Sequence, residues 1–127
     1  MEASLQEVPL PGTALAEELD QRLLIVLRDG RKVLGVLRSF DQFANLVVEG
    51  SVERIIVGEQ YGDIPLGLQI IRGENVVLLG RVDEGKDTPE GLTLVSPAVI
   101  KEAQRGEKEL NKLKSTIRAR MDFLDLE

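Results

Sequence analysis

The chain has 127 residues, 43% of them hydrophobic and 30% charged, with 16 Lys and Arg against 22 Asp and Glu and a formal net charge of −6. That length buries one core and not two, the apolar content excludes global disorder, and no apolar run approaches the ~20 residues of a membrane span. His, Cys and Trp are all missing, which excludes disulfides, thiol nucleophiles, Ser–His triads and His- or Cys-bound metals.

Five acids and no base precede Arg22, so residues 1–12 read as an acidic flexible arm and neither a signal peptide nor a presequence. Residues 14–21, ALAEELDQ, can form a short helix with Thr13 placed to cap it. A series of strands follows. LLIVL (23–27) ends at Asp29-Gly30, a hairpin turn, and VLGVL (33–37) carries Gly35 where a strand bends or packs closely. NLVV (45–48) continues through Val52 to IIV (55–57), and Gly58–Asp63 reads as a loop. Ile64, Leu66, Leu68 and Ile70 then alternate with Pro65, Gly67 and Gln69, a half-buried strand whose start Pro65 puts on a sheet edge. A tight turn, Arg72-Gly73-Glu74-Asn75, leads into VVLLG (76–80). Five short strands with few connecting residues predict a mainly β fold, a strongly bent antiparallel sheet or open barrel.

Beyond residue 83 the composition changes. Residues 84–91 are linker-like, and the linker is expected to run over 84–96. Ser96-Pro97 then caps and opens a helix. Val99, Ala103, Leu110, Leu113, Ile117 and Met121 share one stripe at helical spacing. Gly106 falls in that stripe, costs about 1 kcal/mol relative to Ala, and marks a place for a bend. The stripe needs something to pack on: the chain's own barrel, a neighbouring subunit, or a separate recruited partner. Residues 101–120 carry +4 and residues 121–127 carry −3.

Catalytic patterns are missing. There is no GxSxG, no P-loop and no dinucleotide-binding glycine pattern, and Asp83-Glu84 sits where strand passes into linker. No enzyme, cofactor or metal is expected. Two segments stand out instead, LRDGRKVLGVLRSFDQFANLVVEG (27–50) and IIRGENVVLLG (70–80). Together they resemble the two motifs of the Sm and Sm-like family of RNA-binding ring proteins. The first carries Gly35, Asp41, Asn45 and Glu49, and the second Ile71-Arg72-Gly73-x-Asn75. The phrases DQFANLVVEGSVERI and YGDIPLGLQIIRGENVVLLG, with the long C-terminal extension, resemble a subunit of the cytoplasmic seven-membered ring that acts in mRNA decay. Ala44 departs from the Met of many relatives, at a position that points to the core in the family.

The resemblance implies an Sm fold over 13–83, a short N-terminal helix and a five-stranded open barrel, with a helical extension over 97–127. Partners would be other Sm-like subunits, the 3′ ends of oligoadenylated single-stranded RNA, and decapping activators; the location would be cytoplasmic, including P-bodies, with a nuclear pool allowed. The family's pattern assigns Phe43 and Arg72 to stack on a base, Asn45 to read its edge, Asp41 to orient, and Gly73 to allow close backbone approach. Chemistry supports these roles independently. An amide offers donor and acceptor to a base edge, an aromatic and a guanidinium can sandwich it, and a carboxylate can hold both Asn and Arg. The plainer alternative makes Asp41 and Asn45 turn residues, Phe43 core and Arg72 a solvated charge. Two other functions remain open: a nuclear Sm-like ring serving splicing RNA, and a barrel that binds proteins only.

Overall fold

The computed structural model describes residues 5–7, 13–83 and 88–125, with side chains from 15 to 83 and 88 to 121. The flexible arm expected over 1–12 and the linker expected over 84–96 lie partly outside the described residues. Strand β1 (Leu5–Glu7) comes first, then a 3-10 turn over Thr13–Glu18. The five expected strands follow as β2 (Arg22–Leu27), β3 (Lys32–Phe40), β4 (Leu46–Val57), β5 (Gln60–Ile71) and β6 (Val76–Val82). A two-residue strand β7 (Thr93–Leu94) precedes helix α1 (Pro97–Asp125). The sheet order is β1-β6-β2-β3-β4-β5-β7, antiparallel except where β7 runs parallel to β5. The fold is the mainly β barrel expected, with two short strands that periodicity did not reveal.

Alternation drives the sheet to curl. Leu23, Ile25, Leu37, Leu46, Val48 and Leu79 are all essentially inaccessible and meet in one core. Pairing β2 with both β3 and β6 closes that core on itself. The bend comes where side chains are smallest: a β-carbon on Gly35 would press into Val48 and come within 3.1 Å of the Ser51 Cα. There β3 and β4 shift register between Leu34 and Val36, as a bulged, sharply bent pair requires. The N-terminal turn lies across the barrel with Leu15 fully buried, fixed by Glu18, whose carboxylate accepts two bonds from Arg81 at 2.8 and 3.0 Å. It is a 3-10 turn over 13–18 in place of a longer helix, and Asp20, at φ 66°, turns the chain sharply into β2.

Two expectations change in β5. The loop over Gly58–Asp63 contracts to Gly58-Glu59, because Tyr61 and Gly62 are buried and pair with Ile56 and Ile55. The apolar row over 64–70 is also split. Gly67, at φ 73°, pairs with Ser51 across a register shift. Leu66 packs on the core, whereas Leu68 and Ile70 are left 65% and 74% exposed.

Helix α1 begins as its sequence predicts, with Val99 N donating to Ser96 Oγ at 3.3 Å and Ile100 N to the Ser96 carbonyl at 3.0 Å. It passes through Gly106 as one helix. Its anchor is a residue outside the predicted stripe: Ile100 is fully buried over Gly62. The stripe residues Val99, Leu110, Leu113, Ile117 and Met121 are each about half exposed.

Candidate nucleic-acid interface

The site is built where the β3–β4 turn meets the β5–β6 turn. Asp41 organises the first. Its Oδ1 accepts from the backbone N–H groups of Phe43 at 2.9 Å and Asn45 at 3.0 Å, and its Oδ2 accepts from Asn45 Nδ2 at 2.9 Å. An Asp side chain bonded two and four residues ahead closes a turn by itself. Those N–H donors, the Asn45 backbone foremost and its side-chain amide next, hold the Asp41 carboxyl below its ordinary value of 3.8. The turn also forces Ala44 to φ 60° and tucks its methyl into the core, 6% exposed.

Asn45 joins the two turns. Its Oδ1 accepts the Gly73 backbone N–H at 3.0 Å, across 28 residues of sequence. The approach is possible because Gly73 has no side chain: a β-carbon there would lie 2.5 Å from the Phe43 carbonyl oxygen and 2.7 Å from that of Ala44. With one amide hydrogen given to Asp41 and one lone pair filled by Gly73, Asn45 keeps one donor and one acceptor. That remaining pair suits the edge of an unpaired base.

The structure therefore brings Asp41, Asn45 and Gly73 into one bonded unit. Asp41, Asn45 and Arg72 also line a shallow cavity of about 300 Å³, together with Ser39, Phe40, Val47 and Ile70. None of these last four was assigned to the site from sequence; parity could have found three, since 39, 47 and 70 alternate in step with 41, 45 and 72, whereas Phe40 is of the opposite parity and packs against the core. Phe43 stands outside the cavity, 71% exposed, an aromatic face open to solvent. It is not a core residue. Arg72 departs from expectation: its guanidinium lies 3.7 Å from Glu74, both well exposed, and Asp41 does not hold it. An exposed pair at that distance contributes little and leaves the guanidinium able to move onto a ligand.

A bonded amide and a loosely held guanidinium line a shallow cavity beside an exposed aromatic, set on a strongly bent β barrel. The chain belongs to the LSM domain family, whose model matches residues 13–81. It is similar to the Sm-like protein LSM1B of Arabidopsis thaliana, 60% identical over 116 residues that cover 91% of each chain. It is also similar to the LSM1-LSM7 complex subunit lsm1 of Schizosaccharomyces pombe, 49% identical over 88 residues, 68% of this chain and 63% of that one. Among solved structures it resembles the P. aerophilum SmAP1 heptamer subunit, 36% identical with a TM-score of 0.51, over 59% of this chain and 96% of that one.

Proposed function

We propose that this chain is a non-catalytic, RNA-binding subunit of a cytoplasmic seven-membered Sm-like ring that grips the 3′ ends of oligoadenylated mRNA and promotes decapping and 5′-to-3′ decay. The observation that carries the reading is the Asp41–Asn45–Gly73 unit, which fixes one amide edge in place on the turn that also bears the exposed Phe43 and beside the exposed Arg72. The similarity to LSM1B runs over 116 residues and so extends beyond the barrel. That extent favours a subunit of the LSM1-type ring over its nuclear counterpart.

Assembly follows from the sheet. Among the described residues no strand pairs with the outer side of β5 along Gly62–Ile71, and β6 lies near the opposite edge. Pairing β5 of one subunit with β6 of the next satisfies both and closes a ring, which removes the hazard of open edges. One stacked base is worth ~1–3 kcal/mol, so a single site selects little. Seven around a bore act through effective concentration. Charge at the bore, not the net −6 of the chain, governs attraction of the phosphates. Decapping activators and residence in P-bodies belong to the same reading.

The test is RNA affinity of a ring reconstituted with Phe43→Ala, Asn45→Ala or Arg72→Ala, with ring integrity read by native mass spectrometry. Each change should weaken binding to short single-stranded RNA by about 1–3 kcal/mol without altering assembly. Wild-type affinity in an intact triple variant would leave the subunit as architecture only. Co-purification with nuclear splicing RNA in place of mRNA 3′ ends would assign it to the nuclear ring.

A further inference from the structure

β1 occupies an unusual place. Leu5, Gln6 and Glu7 pair antiparallel with Val82, Arg81 and Gly80 on β6. The other side of that same stretch is filled by β2, with Leu23 opposite Arg81 and Leu24 opposite Gly80. Among the described residues, β1 is therefore the outermost strand at this end of the sheet, and it covers Gly80–Val82 of β6. At the far end β7 covers β5 over just Gln60 and Tyr61. Val95 N donates to the Tyr61 carbonyl at 2.8 Å just beyond β7, and Ile100 then locks the chain down. β1 consists of three residues laid along an edge.

A short strand on an edge prevents the edge from pairing with other chains, and a strand that short gives way to a longer one. The free side of β5 is ten residues, Gly62–Ile71. Arriving on β6 in another subunit, it would need the N–H and C=O groups of Gly80–Val82 that β1 uses.

We propose that β1 is a displaceable guard: it covers the ring-forming edge of β6 in the free chain and is expelled when β5 of a second Sm-fold subunit pairs there. The named partner rests on the ring reading given above. Guarding makes assembly a strand exchange, so that the free chain is held back from pairing with itself while a better-matched neighbour still gains entry.

Two measurements decide it. Sedimentation of the lone chain with and without residues 1–7 should show the shortened chain self-associating at about tenfold lower concentration. Because the protein has no cysteine, the variant Gln6→Cys with Arg81→Cys can carry a single engineered disulfide that pins β1 in place. The oxidised form should join rings of other Sm-like subunits at least about tenfold more slowly than the same protein after reduction, a comparison in which loss of the Arg81–Glu18 pair cancels. Unchanged self-association on deletion, or equal entry of oxidised and reduced protein, overturns the guard. If the intact, shortened and reduced chains all fail to enter a ring, the ring reading falls and the displacing partner with it. The lone-chain comparison still reads the covering of the edge.

Discussion

Ile100 fills the space that Gly62 leaves empty: a β-carbon on Gly62 would lie 2.5 Å from Ile100 Cγ2. This contact anchors the first turn of a 29-residue helix that packs on both β4 and β5. Ile100→Ala should destabilise the chain by about 2–3 kcal/mol in denaturant unfolding, whereas Val99→Ala, one residue earlier and half exposed, should stay within about 0.5 kcal/mol. Gly62→Ala should also be harmful alone, and adding Ile100→Ala should cost less than the sum of the two. Equal effects at 99 and 100 would mean that the helix is rooted elsewhere. Truncation after Asp83, as an extension of the same test, should leave a folded barrel that is less stable by a similar amount.

Asp41 ties the site to pH. Its carboxyl is held below 3.8 by the N–H groups it accepts, so the ionised form is favoured in the folded turn. A depressed carboxylate contributes above its unfolded value, and that contribution disappears as pH falls through the lower folded value. RNA affinity and the Asn45 amide resonances should therefore stay constant from neutrality down to about pH 4 and change below it. An NMR titration midpoint above 3.8 would contradict the hydrogen bonding described. Asp41→Asn should abolish the transition.

Asp41→Ala and Asn45→Ala remove two ends of one bond, so their losses of RNA affinity should be clearly less than additive. Asp41→Ala and Arg72→Ala should add, because the guanidinium rests beside Glu74 instead. Isothermal titration of the three single variants and the two doubles beside the unaltered chain gives the coupling directly. Strong coupling between 41 and 72 would restore the carboxylate–guanidinium contact expected from sequence.

Ala44 and Gly73 present opposite backbone problems. Ala44 sits at φ 60° with its methyl buried. Ala44→Gly should be close to neutral, since relief of the left-handed conformation and loss of the methyl are each about 1 kcal/mol. Ala44→Val adds a β-branch in that conformation and should cost about 2–3 kcal/mol. Gly73→Ala must push the two turns apart against the Phe43 and Ala44 carbonyls. It should cost about 1–3 kcal/mol of stability and more affinity than any side-chain truncation at the site. Thermal unfolding and RNA titration read the two quantities separately.

The sequence revealed what repeats and what turns. Alternating apolar residues, Asp29-Gly30 and the two motif segments located five strands and placed Asp41, Asn45 and Gly73 correctly together. What escaped has a physical reason in each case. Three- and two-residue strands are too short to carry a period, so β1 and β7 left no trace. One bulge at Gly67 inverts the alternation of β5, so a row that looks continuous in sequence is divided between core and surface. Tyr61-Gly62 has a turn-like composition, yet burial under Ile100 makes it strand. Ile100 itself lacked companions: the side of the helix that docks carries Gln104, Glu107 and Lys108 beside it, while the apolar stripe faces elsewhere.

That offset gives the helix mechanical reach. Held near its N-terminal end, it extends about 37 Å beyond Ile100 at 1.5 Å per residue, about the length of the 12-residue strands β4 and β5. It is a lever with its fulcrum on β4 and β5, the latter being the strand whose edge a neighbour would use in the proposed ring. A tilt of about 10° at the fulcrum carries the far end through about 6 Å. A load on the distant half of the helix is thus returned to its docking site on β4 and β5, the Gly62 end of β5 included.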